Sequence, residues 1–199
     1  DPASICLVLD IGGLGDLAFN DLAYSGYQRA IADFGMEGTF LEPDGGGENR
    51  GELLELCAEA GNDLIIGNGF LFDASMNEVA PNYPDLNFAI TDGVAEPANV
   101  RGMLFDHAEG SFLAGVAAAL KSTNNHVGFL GGVDFPLIHE FEQGFIAGVQ
   151  AINPDIVIEI GYASVAPDFS GFNDVVKGKE IALAQYEACL LYTSDAADE

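Results

Sequence analysis

The chain has 199 residues, 49% hydrophobic and 19% charged, with 32 acidic against 6 basic residues and a formal net charge of −26. That balance excludes a nucleic-acid partner, because phosphate binding needs clustered Lys and Arg, and it disfavours an anionic membrane surface. So apolar a chain can bury a core, which argues against global disorder, yet its longest apolar stretch, 112–120, is far short of the roughly 20 residues that span a bilayer. The acidity has two readings, solubility or life in high salt, where screening makes dense surface carboxylates tolerable. The chain opens on Asp1 without a methionine, so the N-terminus is expected to be processed or cut from a longer sequence. Cys6, Cys57 and Cys189 are an odd number without metal or redox spacing; as free cysteines they argue mildly against an oxidising compartment.

Residues 4–10 form an apolar run that ends in Asp10 before Gly12 and Gly13, the pattern of a buried strand feeding a loop. A helix is predicted over 20–34, then a strand over 38–42, a Gly-rich loop over 43–49 and a helix over 52–60. Strands over 63–67, 86–91 and 102–106 follow, with helices over 71–79 and 109–120. After a polar connector at 121–125 the pattern restarts, with strands over 126–131 and 156–160 and helices over 136–152 and 173–187. Strict β/α alternation predicts parallel sheets with helices on both faces. The expected organisation is a first lobe over 1–122, a partial second lobe over 123–188 and an unstructured or non-native tail over 189–199.

Three clusters sit where ligands bind in open α/β sheets, at the carboxyl ends of strands. The first is Asp10-Ile-Gly-Gly-Leu-Gly-Asp-Leu-Ala-Phe-Asn20. Gly13-x-Gly15-x-x-Ala18 fits a dinucleotide fingerprint, with Glu42 as a ribose partner, although Asp10 and Asp16 would then flank an anionic pyrophosphate. Alternatively, the carboxylates and Asn20 would bind a neutral, hydroxyl-rich ligand while Phe19 offers a ring face. A third reading makes Asp16 or Asn20 only a helix cap and Phe19 a hydrophobic staple. The second cluster is Phe88-Ala-Ile-Thr-Asp92-Gly93 and the third is Phe172-Asn173-Asp174. His107, His126 and His139 lack zinc-ligand spacing, and neither a G-x-S-x-G elbow nor a P-loop is present. Glu140 and Glu142 read as a solvated helix face.

The order of motifs resembles the basic membrane protein family, the substrate-binding lipoproteins of nucleoside ABC transporters. The residues that carry the resemblance are Asp10-x-Gly-Gly-x-x-Asp16-x-x-Phe19-Asn20-x-x-Ala23-x-x-Gly26, Phe88-Ala-Ile-x-Asp92 and Phe105-x-x-x-Glu109-Gly-Ser-Phe-Leu-Ala-Gly115. Val127-Gly-Phe-Leu-Gly-Gly132, Phe141-Glu-x-Gly-Phe-x-Ala-Gly-Val149 and Phe172-Asn-Asp-x-x-Lys177-Gly-Lys-Glu180 continue it. The resemblance implies a type I periplasmic-binding-protein fold with two parallel-sheet α/β lobes, the second truncated, and a non-catalytic role without a cofactor. It further implies a purine nucleoside in the inter-lobe cleft and a membrane permease of an ABC importer as partner. Carried over by position, Phe19 and Phe172 would sandwich the base, Asp92 would read its edge, Asp10 would accept from ribose hydroxyls and Asn20 would support them. The family's location is extracytoplasmic, tethered by a lipidated N-terminal cysteine that this chain lacks; Cys6, inside a strand, is not that cysteine. Alternatives are a sugar- or metabolite-sensing protein of the same fold, or an NAD-dependent enzyme. Tyr24 stands where the family often has tryptophan, and 161–171 is longer than usual before Phe172.

Overall fold

Alternating apolar strands and helices build two separate parallel sheets in this computed structural model, which describes residues 2–190. The elements in chain order are β1 (Ser4–Val8), α1 (Phe19–Phe34), β2 (Glu37–Leu41), α2 (Arg50–Glu59), β3 (Leu64–Gly67), α3 (Asp73–Val79), β4 (Asn87–Thr91) and β5 (Val100–Met103). They continue as α4 (His107–Lys121), β6 (His126–Asp134), α5 (Pro136–Ile152), β7 (Val157–Val165) and α6 (Val175–Leu190). Of the tail expected over 189–199, residues 191–199 lie outside the described residues, while 189 and 190 instead close α6.

The first unit runs to Phe105 and holds a five-stranded sheet in the order β2-β1-β3-β4-β5, every pair parallel. Its interior strand β1 is buried from Ile5 onward because helices cover both faces. Ile5 and Leu7 pack with Tyr24, Tyr27 and Ile31 of α1. Cys6 and Val8 pack with Leu54 and Cys57 of α2 and Met76 of α3. An unbroken apolar strand is what a sheet covered on both faces demands. The same burial corrects the expectation of free cysteines. Cys6 and Cys57 face each other across the β1–α2 interface with Cα atoms 5.8 Å apart and form a disulfide, within the usual bridging range.

The second unit begins at Asp106 and pairs β6 with β7, flanked by α4, α5 and α6. Its core is Ala119, Val127, Phe145, Val149 and Ile156. The expected lobe boundary at 122 moves to 105/106 because α4 belongs with α5. A methyl group on Gly115 would overlap the carbonyl of Phe145, and one on Gly144 or Gly148 would overlap the carbonyl of Ala108 or Phe112. Only glycine lets the two backbones approach that closely. Ser111 Oγ also donates to the Phe141 carbonyl at 2.6 Å.

Several element ends also differ from expectation. Asp106, read as the end of a strand, instead caps α4 by accepting from the Glu109 amide at 3.1 Å. The helix expected over 71–79 divides into a 3-10 turn at Phe70–Phe72 and α3. β7 extends to Val165, which absorbs half of the segment that looked long before Phe172. Glu142 is not simply solvated, since it accepts a hydrogen bond from the Tyr162 hydroxyl.

Candidate functional site at the carboxyl edge of the first sheet

Val8, Gly67 and Ile90 are register partners on β1, β3 and β4. Asp10, Gly69 and Asp92 each lie two residues further along, so the chain leaves three adjacent strands with a carboxylate, a glycine and a carboxylate in a row. Gly69 has φ +122°, and a Cβ there would lie 2.8 Å from Asp10 Oδ2 and 3.3 Å from Phe19 Cε1. The bare glycine backbone is therefore what admits both side chains. Phe19, the first residue of α1, is 39% exposed, so its ring meets both the glycine and solvent.

Asp10 is buried, and its carboxylate is held chiefly through one oxygen. Arg50 donates to Oδ1 from Nε at 3.0 Å and from Nη2 at 2.5 Å, and the Ile11 amide donates to the same atom at 2.8 Å. Burial pushes the Asp10 carboxyl above the ordinary aspartate range, while the Arg50 charge, its hydrogen bonds and the Ile11 amide pull the other way. Arg50 is itself fixed by donating to the Gly47 carbonyl at 2.8 Å and by lying over the Phe72 ring, 5.6 Å from its centroid.

Asn20 is 2% exposed and works as a bracket. Its Oδ1 accepts from the Asp10 amide at 2.9 Å and from Asn68 Nδ2 at 3.2 Å, and its own Nδ2 donates to the Ile11 carbonyl at 3.2 Å. Asp16 does the capping from outside α1, accepting from the amides of Asn20 (2.7 Å), Ala18 (2.9 Å) and Asp21 (3.1 Å). Burial raises its carboxyl, but those amide bonds together outweigh burial and hold it below the usual range.

The glycine loop disposes of the dinucleotide alternative. Its amides are already spent on the chain's own carboxylates: Leu14 donates to Glu42 at 2.8 Å, and Gly15 and Leu17 donate to Asp21 at 2.8 and 3.0 Å. Glu42 also fills the space a side chain at Gly13 would need. A pyrophosphate would have to displace Glu42, Asp16 and Asp21 from the N–H groups that a fingerprint loop offers to phosphate.

Asp92 sits at φ +57°, a left-handed conformation that short polar residues tolerate, and its amide donates to the Met103 carbonyl at 2.9 Å. Phe172 belongs to the second unit, in a 3-10 turn at Ser170–Phe172. Its ring covers Gly132 of β6, where a Cβ would lie 2.6 Å from Phe172 Cδ1, and stacks near Phe169 at 6.4 Å. Thus Asp10, Phe19, Asn20 and Asp92 gather at one sheet edge, and Phe172 occupies the other unit. Arg50, Asn68 and Gly69 escaped the sequence reading. The available signals were an isolated arginine just after a Gly-rich loop and the Gly67-Asn68-Gly69 run closing β3.

Among the described residues no group of three or more His, Cys, Asp or Glu could hold a metal ion, and no helix is long and apolar enough to cross a membrane.

Parallel sheets with helices on both faces and polar residues at the carboxyl edge are the architecture of type I periplasmic solute-binding proteins. A solute-binding protein of an ABC transporter system from Aeropyrum pernix K1 matches with a TM-score of 0.72 at 27% identity, over 92% of this chain and 60% of that one. Residues 4–189 match the family described as ABC transporter substrate-binding protein PnrA-like, and the chain belongs to that family. Its relatives include the CD4+ T-cell-stimulating antigen of Listeria monocytogenes, 35% identical over 191 residues, which are 93% of this chain and 52% of that protein. The ABC transporter nucleoside-binding protein BmpA of Lactococcus lactis is 32% identical over 188 residues, 90% of this chain and 51% of that protein. The chain thus spans about half the length of the curated relatives it matches. The family resemblance read from the motifs is borne out, and the family is one of substrate-binding proteins.

Proposed function

We propose that this chain belongs to an extracytoplasmic receptor of an ABC importer and that its ligand is a nucleoside, a purine nucleoside first. What supports this reading is the row Asp10–Gly69–Asp92 with the Phe19 ring against its centre. Two strand spacings separate the carboxylate positions, about 10 Å, a span that suits a base joined to its sugar better than one sugar ring. In this assignment Asp10 accepts from ribose hydroxyls in charge-assisted bonds, and Asp92 accepts from the base edge. Phe19 stacks on the base, and Asn20 holds Asp10 in place. The carboxylates that occupy the glycine loop favour a ligand without phosphates.

The nucleoside-binding protein from Lactococcus lactis, a family relative, lends the ligand class further support. The family resemblance supplies the membrane permease as the partner and a lipidated N-terminus as the tether. The Cys6–Cys57 disulfide fits an oxidising, extracytoplasmic compartment. Isothermal titration of inosine, guanosine and adenosine, with ribose and NAD as controls, tests the reading on the gene product read from start codon to stop codon. Binding of a nucleoside and silence with NAD is the expected result. Heat from ribose alone would move the protein to the sugar-sensing alternative.

A further inference from the structure

Three N–H groups converge on one oxygen of Asp10. Arg50 Nε and Nη2 and the Ile11 amide all address Oδ1, which leaves Oδ2 as the oxygen beside Gly69 and the Phe19 ring. A guanidinium ordinarily pairs with a carboxylate through two oxygens, one bond to each. Here the fork closes on a single oxygen, and the side chains are only 12% and 9% exposed. Arg50 cannot swing freely, because the Gly47 carbonyl and the Phe72 ring anchor it. Among the described residues Arg50 is the charged group that contacts Asp10.

We infer that Arg50 is a positioning residue for the ligand: it occupies Asp10 Oδ1 so that Oδ2 is presented, in fixed orientation, to a ligand hydroxyl. This rests on the nucleoside reading above and deepens it, since it assigns recognition of the sugar to the ion pair of Asp10, in the loop after β1, with Arg50 of α2, and not to Asp10 alone. A purely structural staple predicts something different. Losing it would loosen the whole edge and weaken every ligand alike, whereas losing a positioning residue weakens only the ligand that carries the recognised hydroxyl.

A cycle of ligand and protein changes separates the two. Inosine and 2′,3′-dideoxyinosine are titrated against the whole gene product as wild type, R50Q and R50K. Wild type is expected to prefer inosine by about 10- to 100-fold, the scale of a hydrogen bond to a charged group. R50Q is expected to lose most of that preference through inosine, with dideoxyinosine affinity changed less than about threefold. R50K keeps the charge but cannot aim two N–H groups at one oxygen, so its preference should fall between the two. Equal weakening of both ligands by R50Q, or no weakening, overturns the positioning role and leaves the nucleoside reading intact. Should R50Q fail to fold, R50K decides, and an undiminished inosine preference overturns the inference. Wild type that binds neither ligand refutes the nucleoside reading, and the role of Arg50 falls with it.

Discussion

The amide of Asp10 donates to Asn20 Oδ1 at 2.9 Å, and this bond ties the end of β1 to the first turn of α1 across the glycine loop. Asn68 Nδ2 reaches the same oxygen from the end of β3 at 3.2 Å. One buried amide therefore joins three segments of the candidate site. Replacing it by alanine strands the buried Asp10 amide and the Asn68 side chain without an acceptor. Asn20→Ala is expected to lower stability by about 1–3 kcal/mol, and urea denaturation measures the loss. A change below about 0.5 kcal/mol would mean that water replaces the bracket.

Gly69 is the second test of the edge. An alanine there combines an unfavourable φ of +122° with a methyl group 2.8 Å from Asp10 Oδ2 and 3.3 Å from the Phe19 ring. Gly69→Ala should destabilise the fold by about 1–3 kcal/mol and displace both side chains. A denaturation midpoint equal to wild type would show that the edge has more room than the geometry gives it.

The Cys6–Cys57 bridge closes a loop with a sequence separation of 51. Chain entropy for such a loop gives about 4 kcal/mol of stabilisation. Denaturation with and without reductant should show a loss of that order, and a Cys6→Ala/Cys57→Ala protein should behave as the reduced form.

The two aspartates flanking the glycine loop titrate in opposite senses. Asp16 is held below the ordinary range, since its amide donors outweigh the burial that raises it. Its stabilising contribution is therefore full above the unfolded-state value and is lost as pH falls through the lowered folded value. Asp10 is pushed up by burial, with Arg50 opposing, so ionising it costs stability as pH rises from the ordinary value to the raised one. Asp16→Asn keeps an acceptor but removes the charge, so it should lower stability at neutral pH by about 0.3–1 kcal/mol, the scale of a carboxylate at a helix N-terminus. That gap should close as acidification carries the pH down through the lowered folded-state value of Asp16. A gap that persists in acid would mean that shape, not charge, carries the Asp16 contribution.

Much of this edge was legible from the sequence because strand ends in a parallel sheet are also where its polar residues collect. The runs at 4–10 and 86–91 located the ends of β1 and β4, and Asp10 and Asp92 followed directly. Asp16 was readable as a cap because its donors lie within five residues. Arg50 was not readable, since its partner is 40 residues away and no local pattern links a loop arginine to a strand-end acid. The disulfide escaped for a similar reason: the pairing of three cysteines depends on which helix covers which face of the sheet. Helix α4 was assigned to the wrong unit because a stripe of small residues looks the same whichever partner it packs on. Only the glycines of α5 at 144 and 148 settle the matter.

Those glycines bear on how the protein can be cut. Because α4 is locked backbone to backbone onto α5, the seam at 105/106 is the place where a protease or a gene engineer would separate the chain with least damage. A piece ending at 105 keeps every paired strand of the first sheet together with Asp10, Phe19, Asn20, Arg50, Gly69 and Asp92. A piece ending at 122 would carry α4 away from the helix it was shaped to fit, with the apolar lining of Phe112 and Ala119 newly wetted.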